Sequence, residues 1–210
     1  LFIVLPENYI YCYDCKPISH LKPIDFYLES FGLDILFYDY SDLKRSDIDK
    51  LVRTFNRMFD YRERYDIQFY DILARFSKLF SKKRTFEQIK LTSRLESNYS
   101  IEDIKQLSAR QRDMIAGIYS DNVSIMWDKK DWRGGVKSTE KIIEIMDYEN
   151  AVDDNTNWFS LSASSAYRNL WAMNFNIKPT GNKNNICDYL FKASQINPED
   201  YYDEYLRKCN

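Results

Sequence analysis

The sequence predicts a mainly α-helical, multi-helix domain that opens with a small α/β element of strand-helix-strand type. Three observations carry that expectation. Glycine and proline are scarce, five of each in 210 residues, whereas glycine alone runs at about 7% in ordinary chains. So few turn formers disfavour a many-stranded sandwich or barrel. From residue 46 onward apolar residues recur at helical spacing. Before that point the apolar runs are short, β-branched and aromatic, which is strand chemistry.

Taken in order, "LFIVL", "NYIYCY" and "LDILFYDY" are runs bounded by Pro, Asn, Gly and Asp, and each reads as a strand. Between the last two, "PIDFYLESFG" reads as a short helix ending at Gly32. Residues 1–45 are therefore assigned to the α/β element and residues 46–210 to the helical region, as one continuous domain or as a piece of a longer chain. "SDIDKLVRTFNRMFDYRER" places Ile48, Leu51, Val52, Phe55, Met58 and Phe59 on one helical face, and Ser46 with Asp49 spells a capped start. "DIQFYDILARFSKLF" repeats the pattern. Thr85 with Gln88, and Ser100 with Asp103, spell further caps, the second opening "SIEDIKQLSARQRDMIAGIY". "STEKIIEIMDY", "NWFSLSASSAYRNLWAMNF", "NICDYLFKAS" and "NPEDYYDEYLRK" complete the helices, the last with Asn197 at N-cap and Pro198 at N1. Breaks are expected at "SKKR", "DKKDWRGGVKS", "ENAVDDNTN" and "KPTGNKNN".

A composition of 44% hydrophobic and 16% aromatic residues supplies a real core. The net charge of -2 gives no global attraction to nucleic acid or to acidic membranes. No run approaches the roughly 18 apolar residues that cross a bilayer, and "LFIVLP" is short and without a basic flank for a signal peptide. The start at Leu1 fits a domain, a processed product or a piece of something longer. Four cysteines, with Cys187 and Cys209 isolated, do not spell a secreted disulfide framework. An intracellular, reducing compartment is the expected setting. The richness in Tyr, Asn, Ile, Lys and Asp resembles proteins of AT-rich genomes, viruses and phages among them. The only Gly-Gly pair is in "DWRGGVK", and no glycine-rich phosphate loop occurs.

The first chemical constellation is "YCYDCKPISHLKPID", residues 11–25. Cys12, Cys15, His20 and Asp25 are spaced C-x2-C-x4-H-x4-D, which resembles the zinc knuckle and implies a bound zinc ion held by two thiolates, an imidazole and a carboxylate. The pattern departs from the knuckle in its fourth ligand, and Lys16, Pro17, Ile18 and Ser19 replace its small residues. The alternative is a half-buried strand on which Tyr9, Tyr11 and Tyr13 alternate with Ile10 and Cys12, the thiol serving as a small hydrophobe.

The second is "MIAGIYSDNVSIMW", where Asp121 and Asn122 interrupt two apolar runs. It resembles the Asp-Asn turn between strands in the palm of some viral RNA polymerases, which implies divalent metal with partner carboxylates such as Asp147 and Asp153. The alternative makes Ser120, Asp121 and Asn122 turn and cap residues at a helix end. The third is "WDKKDWRGGVK", where Trp127 and Trp132 flank Lys129, Lys130 and Arg133. Aromatics interleaved with cations suit single-stranded nucleic acid, and Trp with Arg equally suits a protein docking site.

With His20 the only histidine, no nucleophilic triad is evident, and an enzyme is not expected. The 17 Tyr, 13 Phe and 4 Trp exceed what a modest helical core hides. The expected function is a non-enzymatic binding or assembly module of a larger complex. Its aromatic contacts with a protein partner are placed in the Trp127–Trp132 segment and in "DYYDEYL". The alternative is a nucleic-acid-binding or nucleic-acid-processing domain with the zinc clip or the carboxylate site.

Overall fold

A computed structural model describes residues 2–4, 10–12, 44–46, 48–49, 52–53, 56, 67–154, 159–178 and 183–209. The chain divides into two compact units, Leu1–Phe69 and Tyr70–Asn210. In the first, β1 (Phe2–Val4) pairs antiparallel with β2 (Ile10–Cys12), Ile3 opposite Tyr11. This pairing does not amount to the expected strand-helix-strand element, because "PIDFYLESFG" and "LDILFYDY" lie outside the described residues. Arg45, Ser46, Ile48, Asp49, Val52, Arg53 and Asn56 are helical. Ser46 is already inside this helix, since the Ile48 amide donates to the Lys44 carbonyl at 3.2 Å, so the cap expected at Ser46 falls too late.

Elsewhere the described chain is helical. The elements are α1 (Ile67–Lys83), α2 (Thr85–Asn98), α3 (Ile101–Lys105), α4 (Ala109–Asp128), α5 (Trp132–Met146), a 3-10 turn (Tyr148–Asn150), α6 (Ala163–Ile177), α7 (Lys183–Ile196) and α8 (Pro198–Cys209). Packing follows chain order: α4 lies on α5, α5 on α6, α6 on α7 and α7 on α8, with α2 also on α4. From α4 onward consecutive helices are thus spatial neighbours, even across the longer link from α5 to α6.

Local chemistry sets the helix starts. Ser100 and Asp103 form a reciprocal capping box that opens α3. The long helix expected from there is interrupted, because Ser108 and Gln111 form a second box that opens α4. The cap expected at Thr85 with Gln88 is not made. Thr85 is already helical, and the buried Gln88 amide donates instead to Ser77 Oγ at 2.7 Å and to the Ile118 carbonyl at 2.9 Å. Asn197 caps α8 as expected, its Oδ1 accepting from the Asp200 amide at 3.3 Å, with Pro198 the first helical residue.

The core gathers Leu73, Phe76, Leu79 and Phe80 of α1, Leu91 and Leu95 of α2, Ile115 and Ile118 of α4, Ile142 and Ile145 of α5, and Met173 of α6. α4 is its axis, buried without interruption from Asp113 to Val123. Glycine permits the tightest approaches. A Cβ on Gly117 would stand 2.6 Å from Phe159 Cβ, and one on Gly135 would fall on Met173 Sδ of α6. The Gly-Gly pair, expected as a break, is helical within α5, and Gly135 admits Met173 of α6 while Gly134 leaves room for the capping Asp131.

Candidate functional site

Trp127 and Trp132 do not belong to an open loop. Trp127 lies in the last turn of α4 and Trp132 is the first residue of α5. Between them, Lys130 adopts a left-handed backbone (φ 56°) and Asp131 caps α5 through the Gly134 amide at 3.1 Å. This tight reversal brings the two indoles edge to face, centroids 5.4 Å apart at 82°. Trp127 also packs against the buried cluster of Trp171, Ala172 and Leu190. Both rings are half-buried, while Lys129, Lys130 and Arg133 are exposed around them. The turn therefore offers cations to solvent, and its aromatics serve each other and the core.

Asp121 and Asn122 lie in the middle of α4, so neither the turn between strands nor the cap at a helix end exists there. Asp121 is buried and both of its oxygens are occupied: Lys78 Nζ donates to Oδ1 at 2.7 Å and Ser77 Oγ to Oδ2 at 2.8 Å. Ser77 in turn accepts from Gln88, and Asn122 Nδ2 donates to Ser138 Oγ of α5 at 2.8 Å. Together they form a polar spine linking α1, α2, α4 and α5 inside an otherwise apolar core. Networks of this kind favour one register of packing over others. Two acceptors on this spine, Gln88 Oε1 and Asn122 Oδ1, are buried without a hydrogen-bond donor among the described residues.

The remaining carboxylates are scattered. Asp147 is exposed at the C-terminus of α5 in a left-handed conformation (φ 57°), and Asp153 is exposed in the following bend. Among the described residues no group of three or more His, Cys, Asp or Glu side chains converges as metal ligands would. Of the zinc-clip residues, Cys15, His20 and Asp25 lie outside the described residues, and Cys12 is described only as the last residue of β2.

Cys187 and Cys209, read from the sequence as isolated thiols, are joined in a disulfide with their Cα atoms 5.7 Å apart. That bond removes the cysteine-based ground for expecting a reducing compartment. No helix among the described residues is long and apolar enough to cross a membrane.

The segment "DYYDEYL" lies on α8, where the α7–α8 pair leaves large side chains exposed. Phe191, Tyr202 and Leu206 are 43%, 51% and 39% exposed, large for apolar side chains. Tyr202 and Leu206 are one turn apart on α8, and Phe191 of α7 meets the Tyr205 ring at 5.2 Å. By contrast Tyr119 of α4 is buried, and burial, seconded by Glu96 and Glu144, pushes its phenol well above the usual tyrosine range. Ser100's hydroxyl and amide hold Asp103 below the usual carboxylate range. No family model, curated protein or solved structure matches the chain.

Proposed function

We propose that the chain is a non-enzymatic binding and assembly module of a larger complex, viral or phage in compositional character, that meets a protein partner through the apolar side chains of α7–α8. The observation that carries this reading is the exposure of Phe191, Tyr202 and Leu206 together on the α7–α8 pair. Aromatic and leucine side chains left in water, with carboxylates around them at Asp200 and Asp203, are typical of the apolar centre and polar rim of a contact surface. An N-terminal strand-helix-strand element over 1–45 and an intracellular setting go with this reading as sequence-based expectations. The Cys187–Cys209 bond weighs against the second.

Nucleic-acid contact is the second reading, favoured by the exposure of Lys129, Lys130 and Arg133 together at the α4–α5 turn. Zinc at Cys12, Cys15, His20 and Asp25 belongs with it. A divalent-metal site at Asp121 with Asp147 and Asp153 is weaker, since a cation at Asp121 would have to displace Lys78 and Ser77. Salt separates the two main readings. Retention on the native complex that survives a rise from 50 to about 500 mM salt and is lost in F191S/Y202S/L206S supports the protein surface. Retention that falls by orders of magnitude over that range, and is lost in K129A/K130A/R133A, supports nucleic acid.

A further inference from the structure

α8 buries none of its residues. Its twelve residues are at the margin of what stays helical in water without packing. Its polar attachments to α6 are weak: Arg168 reaches Glu204 at 3.4 Å with both side chains partly exposed, and the hydroxyls of Ser165 and Tyr201 are 3.4 Å apart. Against these stands the covalent bond from Cys187, near the start of α7, to Cys209, the last residue of α8. Both cysteines are half-buried, which leaves the bond within reach of a small thiol. Beneath it, Tyr205 and Cys209 of α8 pack with Trp127, Ile186 and Tyr189 over the buried side chains of Trp171 and Leu190.

We propose that α8 is a redox clasp: the Cys187–Cys209 bond holds it as a cover on the Trp171–Leu190 cluster, and reduction by a dithiol releases it. In the opening step one thiolate of the dithiol attacks a cysteine Sγ, the Sγ–Sγ bond breaks and the other cysteine leaves as a thiolate that takes up a proton. The second thiol of the reductant then displaces the first cysteine. The reductant departs as a cyclic disulfide, and two electrons and two protons have passed to Cys187 and Cys209. Two free thiols no longer confine the end of α8, and what remains is the packing of Tyr205 and the two weak polar contacts to α6. In an oxidising setting the cluster is covered, and in a reducing one it is open to water.

Hydrogen exchange of the intact chain, before and after treatment with dithiothreitol, tests this without reference to any partner. Amides of residues 201–208 exchange roughly three-hundredfold faster after reduction, the factor expected when closure of a loop of this length is lost, while residues 115–125 of α4 keep their protection. C187S/C209S shows the fast exchange with or without dithiothreitol, and C12S/C15S keeps the full response of the native chain. Equal protection of α8 in the oxidised, reduced and C187S/C209S proteins overturns the proposal. So does a loss of protection that spreads equally into α4, or a response that disappears in C12S/C15S.

Discussion

The α4–α5 centre of the helical unit and its α7–α8 end are held by opposite means. α4 is buried on every side, closed by glycine contacts at Gly117 and against Gly135 of α5, and pinned by the Asp121 spine. α8 buries no residue and is fastened by a cap, a partly exposed ion pair, a ring contact and one disulfide. A region held by packing has nothing to offer a partner. A region held by a few discrete fasteners keeps its apolar side chains outward and its attachment adjustable.

The largest test of that contrast is truncation. Ile118→Ala, in the centre, lowers stability by about 3–4 kcal/mol in urea denaturation, whereas Leu206→Ala on α8 changes it by about 0.5 kcal/mol or less. Equal losses would erase the distinction. Next is the polar spine. Lys78 has a side chain 47% exposed against 10% for Asp121, so the two partners are unequal. Lys78→Met strands a buried carboxylate and costs about 2–3 kcal/mol. Asp121→Asn leaves a lysine free to swing into water and an amide to meet Ser77, at about 1 kcal/mol. The reverse order would show that the pair lies at the surface in solution.

The third test is alkaline, and at neutral pH it has no effect to read. Tyr119's pKa is raised on folding, so its contribution is fully present below its ordinary value of 10.0 and is lost as the pH climbs above it. Each pH unit in that window removes up to about 1.4 kcal/mol. Tyr119→Phe flattens this part of the stability profile. A profile unchanged by the substitution would mean that the phenol is hydrated.

Much of the helical architecture was legible because period and caps agree: Ser100 with Asp103, and Asn197 with Pro198, mark helix starts where the structure has them. The second box at Ser108 with Gln111 was equally readable and passed within a longer apolar pattern. Gly134-Gly135 and Ser120-Asp121-Asn122 were misread for a shared reason. Their local preference is for turns, and it is overruled by partners distant in sequence, Met173 for Gly135 and Ser77 with Lys78 for the aspartate.

The disulfide had a faint signal. Cys187 is 10 residues before Asn197 (197 − 187) and Cys209 is 12 after it (209 − 197). Two helices folded back at that cap, rising about 1.5 Å per residue, bring the two thiols level. The exposed side chains of α7–α8 were foreshadowed only by aromatic surplus, because which rings turn outward depends on packing that no local pattern records.

The most direct measurement of the central claim is site-specific photo-crosslinking in the native complex, with a benzophenone side chain at position 202 and, separately, at position 130. A protein adduct at 202 that resists nuclease, with little at 130, is expected. A nuclease-sensitive adduct at 130 and none at 202 would contradict it and move the binding surface to the α4–α5 turn.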